Sequence, residues 1–323
     1  MPAESQPYQA VQQLTIDEGH AGQRIDNFLG WCLKGVPKSR IYRLVRKGEV
    51  RVNSRRVRQD YRLQMGDRVR VPPVRRAQPR EIGTPDPRSR ERIAQSILHE
   101  DDALLVLDKP SGIAVHGGSG RSFGIIEALR TMRPKAPFLE LVHRLDKDTS
   151  GCLVVAKKRS ALRALHESFR GHRVEKTYLA LVAGRLTGGT RTVSEPLRRN
   201  TLRSGERIVR VDAEGKASKS VFTVRAATAA ASLAEIVIHT GRTHQIRVHA
   251  ASTGHPLAGD PKYGDREFNK LTRKSGLRRL FLHAHRLRFP HPADGKNMSI
   301  RAPLPLELAE VLSEMGVRSD KKF

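Results

Sequence analysis

Six apolar runs limit what this chain can fold into: Ala103–Leu107, Leu153–Ala156, Val174–Val182, Val221–Val224, Leu233–Ile238 and Phe281–Phe289. Each has the length of a buried strand. Strands adjoin strands in this order more often than they alternate with helices. The order predicts an α+β domain, a largely antiparallel mixed sheet with flanking helices. Helices are expected where the apolar period lengthens, around Ile125, Ile126 and Leu129 and again at Ala161, Leu162, Leu165 and Phe169. A turn from Gly241 to Arg247 feeds a third helix, with Thr243 as its cap, and Gly254-His255-Pro256-Leu257 stops it. A last helix lies near Leu308–Met315, and residues 184–220, rich in Gly, Thr and Arg, read as hairpins reaching into solvent.

The N-terminal part is patterned differently. Residues 1–20 are polar and weakly patterned, a short arm. Ile25, Phe28, Leu29 and Cys32 then fall at helical spacing until Pro37 breaks the run. Ser39 can cap a second helix, with Ile41, Leu44 and Val45 as its apolar stripe and Arg40, Arg43, Arg46 and Lys47 on the other side. Gly48 closes it, and short alternating strands follow from Val50-Arg51-Val52 to Val69-Arg70-Val71. Residues 21–76 hold 16 Lys/Arg against 4 Asp/Glu, close to half the excess behind a net charge of +27. Charge of that size implies a polyanionic partner, because phosphates release counterions when basic side chains neutralise them. A membrane surface is the other anionic candidate. It is opposed by the lack of a basic amphipathic helix and of any apolar run near the ~20 residues that spanning requires. The start of the chain carries no apolar core of a signal peptide, and Cys32 and Cys152 sit in apolar-flanked positions suited to a reduced interior. A cytoplasmic protein is expected. Pro72-Pro73 opens a linker, which gives an arm at 1–20, a basic domain at 21–73, a linker at 74–96 and a second domain at 97–323.

Chemistry concentrates in the second domain at His143-Arg144-Leu145-Asp146-Lys147-Asp148-Thr149-Ser150-Gly151, a polar knot between apolar flanks. The plain alternative is a charged turn ending in Ser-Gly. An ordinary aspartate, with pKa ~3.9, is an anion at neutral pH; if Asp146 is partly buried it needs a cation beside it, Arg144 or Arg247. No metal is expected: His239, His244, His249 and His255 fit no common ligand spacing. Asp146-x-Asp148 matches the pair of magnesium-dependent phosphatases that use an aspartate nucleophile. The residues before it, His143-Arg144, are not the continuous apolar strand such a site follows. No Gly-rich phosphate loop follows a strand, which leaves no place for a nucleotide cofactor.

Two resemblances join these features. Residues 22–72 resemble an S4 RNA-binding domain in the helix pair, in Gly48-Glu49-Val50-Arg51-Val52-Asn53, and in Gly66-Asp67-Arg68-Val69. This implies structured RNA as partner, with Arg40, Arg43, Arg46, Lys47 and Arg51 as its contacts. His143-Arg144-Leu145-Asp146-x-x-Thr149-Ser150-Gly151 is similar to the catalytic motif of the RluA-type pseudouridine synthases. The similarity extends to Leu107-Asp108-Lys109-Pro110-x-Gly112, Lys176-Thr177-Tyr178, Gly241-Arg242-Thr243-His244-Gln245-Ile246-Arg247 and Gly259-Asp260-x-x-Tyr263-Gly264. Two loops, Ser204–Val211 and Gly264–Phe268, look most like the subgroup that modifies large-subunit ribosomal RNA. The family resemblance implies a cofactor-free isomerase that detaches uracil from the ribose, turns it and rejoins it through C5. Asp146 would be the essential carboxylate, Tyr178 would stack on the base and assist the final proton removal from C5, and Arg247 would pair with Asp146. Arg144 would fill the space of a flipped uridine, Ile246 would wall the base, and His143 and Lys176 would contact substrate. The competing expectation is a non-catalytic S4-type ribosome-assembly protein, in which the second domain only binds RNA.

Overall fold

Residues 10–33, 35–74, 85–117, 123–201 and 207–319 are described in a computed structural model, and the chain divides into two units, Met1–Ile82 and Gly83–Phe323. The first contains β1 (Gln12–Thr15), α1 (Ile25–Cys32), α2 (Lys38–Arg46), β2 (Arg51–Val52) and β3 (Arg68–Val71). Its sheet has the order β1-β3-β2, antiparallel throughout. Ile25, Phe28 and Leu29 from α1 meet Ile41, Leu44 and Val45 from α2 and Val69 and Val71 from β3 in one core. Part of the expected N-terminal arm is therefore structural. Gln12–Thr15 pairs with Val71–Arg68, and Ile16 is buried. A polar edge strand held by backbone bonds carries no hydropathy signal, which is why the pattern hid it. At the start of α2, Pro37 rather than Ser39 takes the cap position, while Gly48 ends the helix at φ 72° as expected.

The second unit runs α3 (Pro87–Gln95), β4 (Ile97–Glu100), β5 (Leu104–Lys109), α4 (Ile125–Met132), β6 (Glu140–Leu141), β7 (Ser150–Ala156), α5 (Arg159–Arg170), β8 (Glu175–Ala183), β9 (Thr190–Val193), β10 (Leu197–Thr201), β11 (Arg207–Val211), β12 (Ser220–Ala227), β13 (Ala231–Ile238), α6 (Gln245–Ser252), α7 (Arg266–Lys274), β14 (Leu282–Pro290), β15 (Asn297–Arg301) and α8 (Leu306–Glu314). A ten-stranded sheet follows the path β4-β5-β7-β14-β8-β13-β12-β9, with β6 on β7 and β15 on β14. All its pairings are antiparallel except β7 with β14. Strands β10 and β11 form a separate two-stranded ribbon.

Both faces of the large sheet are covered. Leu105, Leu107, Ala180 and Val182 face α3, α4 and α6 on one side. Leu104 and Val106 face α5, and Leu179 and Leu181 face α8, on the other. Double burial is why these strands read as continuous apolar runs and not as alternation. The expected linker is shortened at its far end: α3 lies inside residues 74–96, capped by Asp86, whose carboxylate accepts from Ser89 N at 2.9 Å. Ile93 is its single buried residue, too little for a period to show. Residues 1–9 of the arm and 75–84 of the linker lie outside the described residues. Gly151 lies opposite Ala284 in the parallel junction at φ 109°, where a Cβ would stand 2.3 Å from the carbonyl oxygen of Ala284. No helix among the described residues is long and apolar enough to cross a membrane.

Candidate active site

The polar knot forms the loop from β6 to β7, and a second loop, after β5, is fastened to it. Lys109 is fully buried at the end of β5, and its ammonium donates to the carbonyls of Pro110, Ile113 and Lys147 at 2.8, 2.9 and 3.0 Å. Burial lowers its pKa to about 7, against the pull of Asp148 and Asp146. Ser111 Oγ donates to the Asp148 carbonyl at 2.8 Å, Gly112 N to that of Lys147 at 3.0 Å, and Thr149 N to that of Asp146 at 3.2 Å. Ser150 Oγ accepts from Arg279 Nη2 at 2.7 Å and meets His283 Nδ1 at 2.9 Å, which pins the start of β7 to β14. Burial holds His283 near pKa 4 and hence neutral.

Asp146 therefore projects from a fixed loop. It lines a pocket of about 90 Å³ with Arg144, Thr149, Tyr178, Ile246 and Arg247. It also lines a wider basin of about 590 Å³ bounded by Arg144, Lys147, His116 and Lys262. Its Oδ2 stands 3.8 Å from Arg247 Nη1 and 3.9 Å from His244 Nε2. Sequence reasoning thus named three groups, Asp146, Tyr178 and Arg247, that the fold brings to one pocket from β7's loop, β8 and α6. Tyr178 is 9% exposed, and burial, followed by the charge of Asp146, pushes its phenol well above the ordinary value. Ile246 is buried in the same wall, and Arg144 is exposed at the mouth shared by both spaces.

Several residues are used differently from the expectation. Arg247 is committed first to Asp260, with Nε–Oδ2 and Nη2–Oδ1 both at 2.7 Å, and only its Nη1 turns toward Asp146. Asp260 is 1% exposed. Burial would raise its carboxyl, but the bidentate guanidinium outweighs this and lowers it. For Arg247, burial is likewise outweighed by Asp260, and its pKa is raised. His143 does not line the pocket: its Nε2 accepts from Val154 N at 3.1 Å and its ring stacks on Phe169. Burial and the charge of Lys176 push it down to about 3. Lys176 places its ammonium over the same Phe169 ring at 6.0 Å, and burial lowers its pKa. These two form a packing cluster with α5. The Thr243 cap is replaced by His244, at φ 54° and ψ 20° with no side-chain cap bond, a left-handed backbone that is costly outside glycine.

Asp260 and Tyr263 received no role from the sequence, and His244 only a place among four histidines that do not fit a metal site. Asp260 Oδ1 also accepts from Lys262 N and Tyr263 N at 2.8 and 3.1 Å, and the Tyr263 ring lies under the Arg247 guanidinium at 5.0 Å. A carboxylate within Leu257-Ala258-Gly259-Asp260-Pro261 was the available signal. In the first unit Arg43, Arg46, Lys47 and Arg51 are exposed and Arg40 is half-buried, while Arg51, Arg68 and Arg70 border a cavity of about 600 Å³. Among the described residues no group of three or more His, Cys, Asp or Glu could hold a metal ion. Ser204-Gly205-Glu206 of the subgroup loop lies outside the described residues.

A mostly antiparallel, doubly covered sheet thus presents one carboxylate, one tyrosine and one anchored arginine in a single pocket. The RNA pseudouridylate synthase family model matches residues 103–252, and the S4 domain model matches 23–69. The chain belongs to the RNA pseudouridylate synthase family, whose members are isomerases. It is 55% identical to ribosomal large subunit pseudouridine synthase C of Pasteurella multocida, over 95% of this chain and 94% of that one. Identity to the protein of the same name from Escherichia coli is 55%, over 96% and 97%. Human RNA pseudouridylate synthase domain containing 4 superposes with a TM-score of 0.60 at 26% identity, over 72% of this chain and 97% of that one.

Proposed function

We propose that this chain converts uridines of large-subunit ribosomal RNA, or of its assembly intermediates, to pseudouridine in the cytoplasm, with Asp146 as the essential group. The observation that carries the reading is the position of Asp146, where a tyrosine-walled pocket opens on a cation-lined basin. On this reading a flipped uracil enters the first space and the sugar-phosphate backbone follows the second. The reaction breaks the bond from C1′ to N1, turns the base, joins C5 to C1′ and moves a proton from C5 to solvent while N1 gains one. A carboxylate at this position can add to C1′, add to the base or take the 2′ proton, and all three require it to be ionised. Arg247, held by Asp260, supplies positive charge for that without making a direct hydrogen bond. Tyr178 remains a neutral phenol against the base. Arg144 fills the gap left in the RNA, offsetting the few kcal/mol that extrusion costs. Relatives named for the large ribosomal subunit, matched over nearly their whole length, support the substrate class.

Incubating the protein with large-subunit ribosomal RNA and mapping pseudouridine tests the proposal. New sites should appear there and be missing from ribosomal RNA of cells lacking the protein. Product only in transfer RNA or small-subunit RNA would overturn the substrate assignment. The basic face of the first unit is expected to supply phosphate contacts. The triple substitution Arg43→Gln, Arg46→Gln and Lys47→Gln should flatten the dependence of log K on log salt by about 2 to 3. An unchanged slope in a binding titration from low to high salt would remove α2 from the RNA interface.

A further inference from the structure

His244 is the second group facing Asp146, and a chain of bonds fixes how it faces it. The amide of Val209, in β11 of the ribbon, donates to the Tyr263 phenol oxygen at 3.0 Å, and that oxygen lies 2.8 Å from His244 Nδ1. Leu197, Val209, Val248 and Tyr263 pack together, so ribbon, α6 and the 260–263 turn hold one another in place. Because the phenol oxygen already accepts the amide hydrogen, giving its own hydrogen to Nδ1 satisfies both groups. The ring hydrogen of His244 is then on Nε2. Burial lowers the pKa of this imidazole, against the opposing pull of Asp146, which favours the neutral ring. Nε2–H looks into the pocket 3.9 Å from Asp146 Oδ2. That separation is too long for a hydrogen bond to the carboxylate and leaves the donor for an atom placed beside it.

We propose that His244 is a further catalytic residue, a neutral donor whose Nε2–H hydrogen-bonds a carbonyl oxygen of the uracil as the base leaves C1′. The inference rests on the assignment of this pocket to uridine. When the glycosidic bond breaks, its electron pair stays on N1 and spreads to the two carbonyl oxygens. A neutral imidazole stabilises that charge and keeps its proton. An imidazolium would transfer a proton to the uracil anion and so weaken C5 as the nucleophile that must rejoin C1′. Neutral imidazole acts as such an electrophile where its surroundings lower its pKa, and the hydrogen bond on one ring nitrogen sets which tautomer is present. The same arrangement explains the left-handed backbone at His244, which aims the ring between Tyr263 and Asp146.

Single-turnover pseudouridine formation on ribosomal RNA, with RNA affinity measured in parallel, tests this. His244→Ala should react about 10²-fold more slowly with its Kd within about threefold of wild type, as for loss of one charge-stabilising donor. His244→Gln, which keeps an N–H at similar reach, should recover about tenfold of that loss, and Tyr263→Phe should slow the reaction by about tenfold. In protein labelled with 15N-histidine, the resonances missing from His244→Gln should identify Nδ1 as bare and Nε2 as protonated. A wild-type rate for His244→Ala, no recovery in His244→Gln, or the opposite tautomer would each overturn the inference while leaving the family activity intact. A wild-type protein inactive on every uridine-containing RNA would instead remove the reading beneath it. Should His244→Ala fail to fold, Tyr263→Phe and the tautomer decide.

Discussion

Asp146→Asn is expected to abolish pseudouridine formation, with a loss of at least roughly 10⁴-fold in single-turnover rate, while RNA affinity changes by less than about threefold. The substitution keeps the shape and removes the charge and basicity that each possible step at C1′, the 2′ position or the base requires. It spares what holds the loop. The bonds to the carbonyls of Lys147, Asp148 and Asp146 come from Lys109, Ser111, Gly112 and Thr149, and none involves the Asp146 carboxylate. Arg247 keeps Asp260 as its partner, so no buried cation is left without a counter-charge. Stability should therefore stay within about 1 kcal/mol of wild type. Pseudouridine mapping after incubation with excess enzyme, beside a filter-binding titration, measures both quantities. A variant that modifies RNA at near the normal rate would show that another group does the chemistry.

How far the sequence could be read follows from what burial does to each residue. Runs such as Leu104-Leu105-Val106-Leu107 place apolar side chains on both faces of one strand, and that pattern survives in the sequence because two separate cores demand it. Asp146 stood out as a carboxylate in a polar knot between apolar flanks, with Arg247 a candidate cation from a second knot, whereas Tyr178 was named only through the resemblance to the synthase motifs. Structure supported by backbone bonds left no trace. β1 is polar, and α3 shows one apolar contact in nine residues. The expected pair of Arg247 with Asp146 is present at 3.8 Å, but the stronger partner, Asp260, was beyond reach. Arg247 was assigned to Asp146 because both lie in conspicuous polar knots, and desolvation decides which carboxylate takes the bidentate pair. Asp260, almost without solvent, gains more from a bidentate guanidinium than the partly exposed Asp146 does. His143 shows the converse: it stands next to Arg144 in the motif but serves the backbone of Val154.

Asp260→Asn should be the most destabilising change among the site's neighbours, and its effect can be separated from catalysis. Removing the carboxylate charge leaves Arg247, 8% exposed, with only Asp146 at 3.8 Å as counter-charge, a loss of up to about 3–5 kcal/mol. For a unit of this size that lowers Tm by about 6–20 °C. The pH dependence has a definite sign. The folded carboxyl of Asp260 titrates below its ordinary 3.8, so its contribution is complete above the unfolded value and is lost as pH falls through the folded one. Wild type and Asp260→Asn should differ fully at pH 7 and converge below about pH 4. Replacing both partners, Asp260→Leu with Arg247→Met, should regain much of the stability, because apolar pairs of similar size often match buried ion pairs. Recovery will be incomplete, since Lys262 N and Tyr263 N lose their acceptor. Activity should not return with stability, because no guanidinium then stands 3.8 Å from Asp146. Thermal unfolding and single-turnover rates on the same preparations measure the two. A double variant that recovers both would mean that Arg247 serves only the fold, and one that recovers neither would mean that the 260–263 turn depends on Asp260 more than the ion pair does.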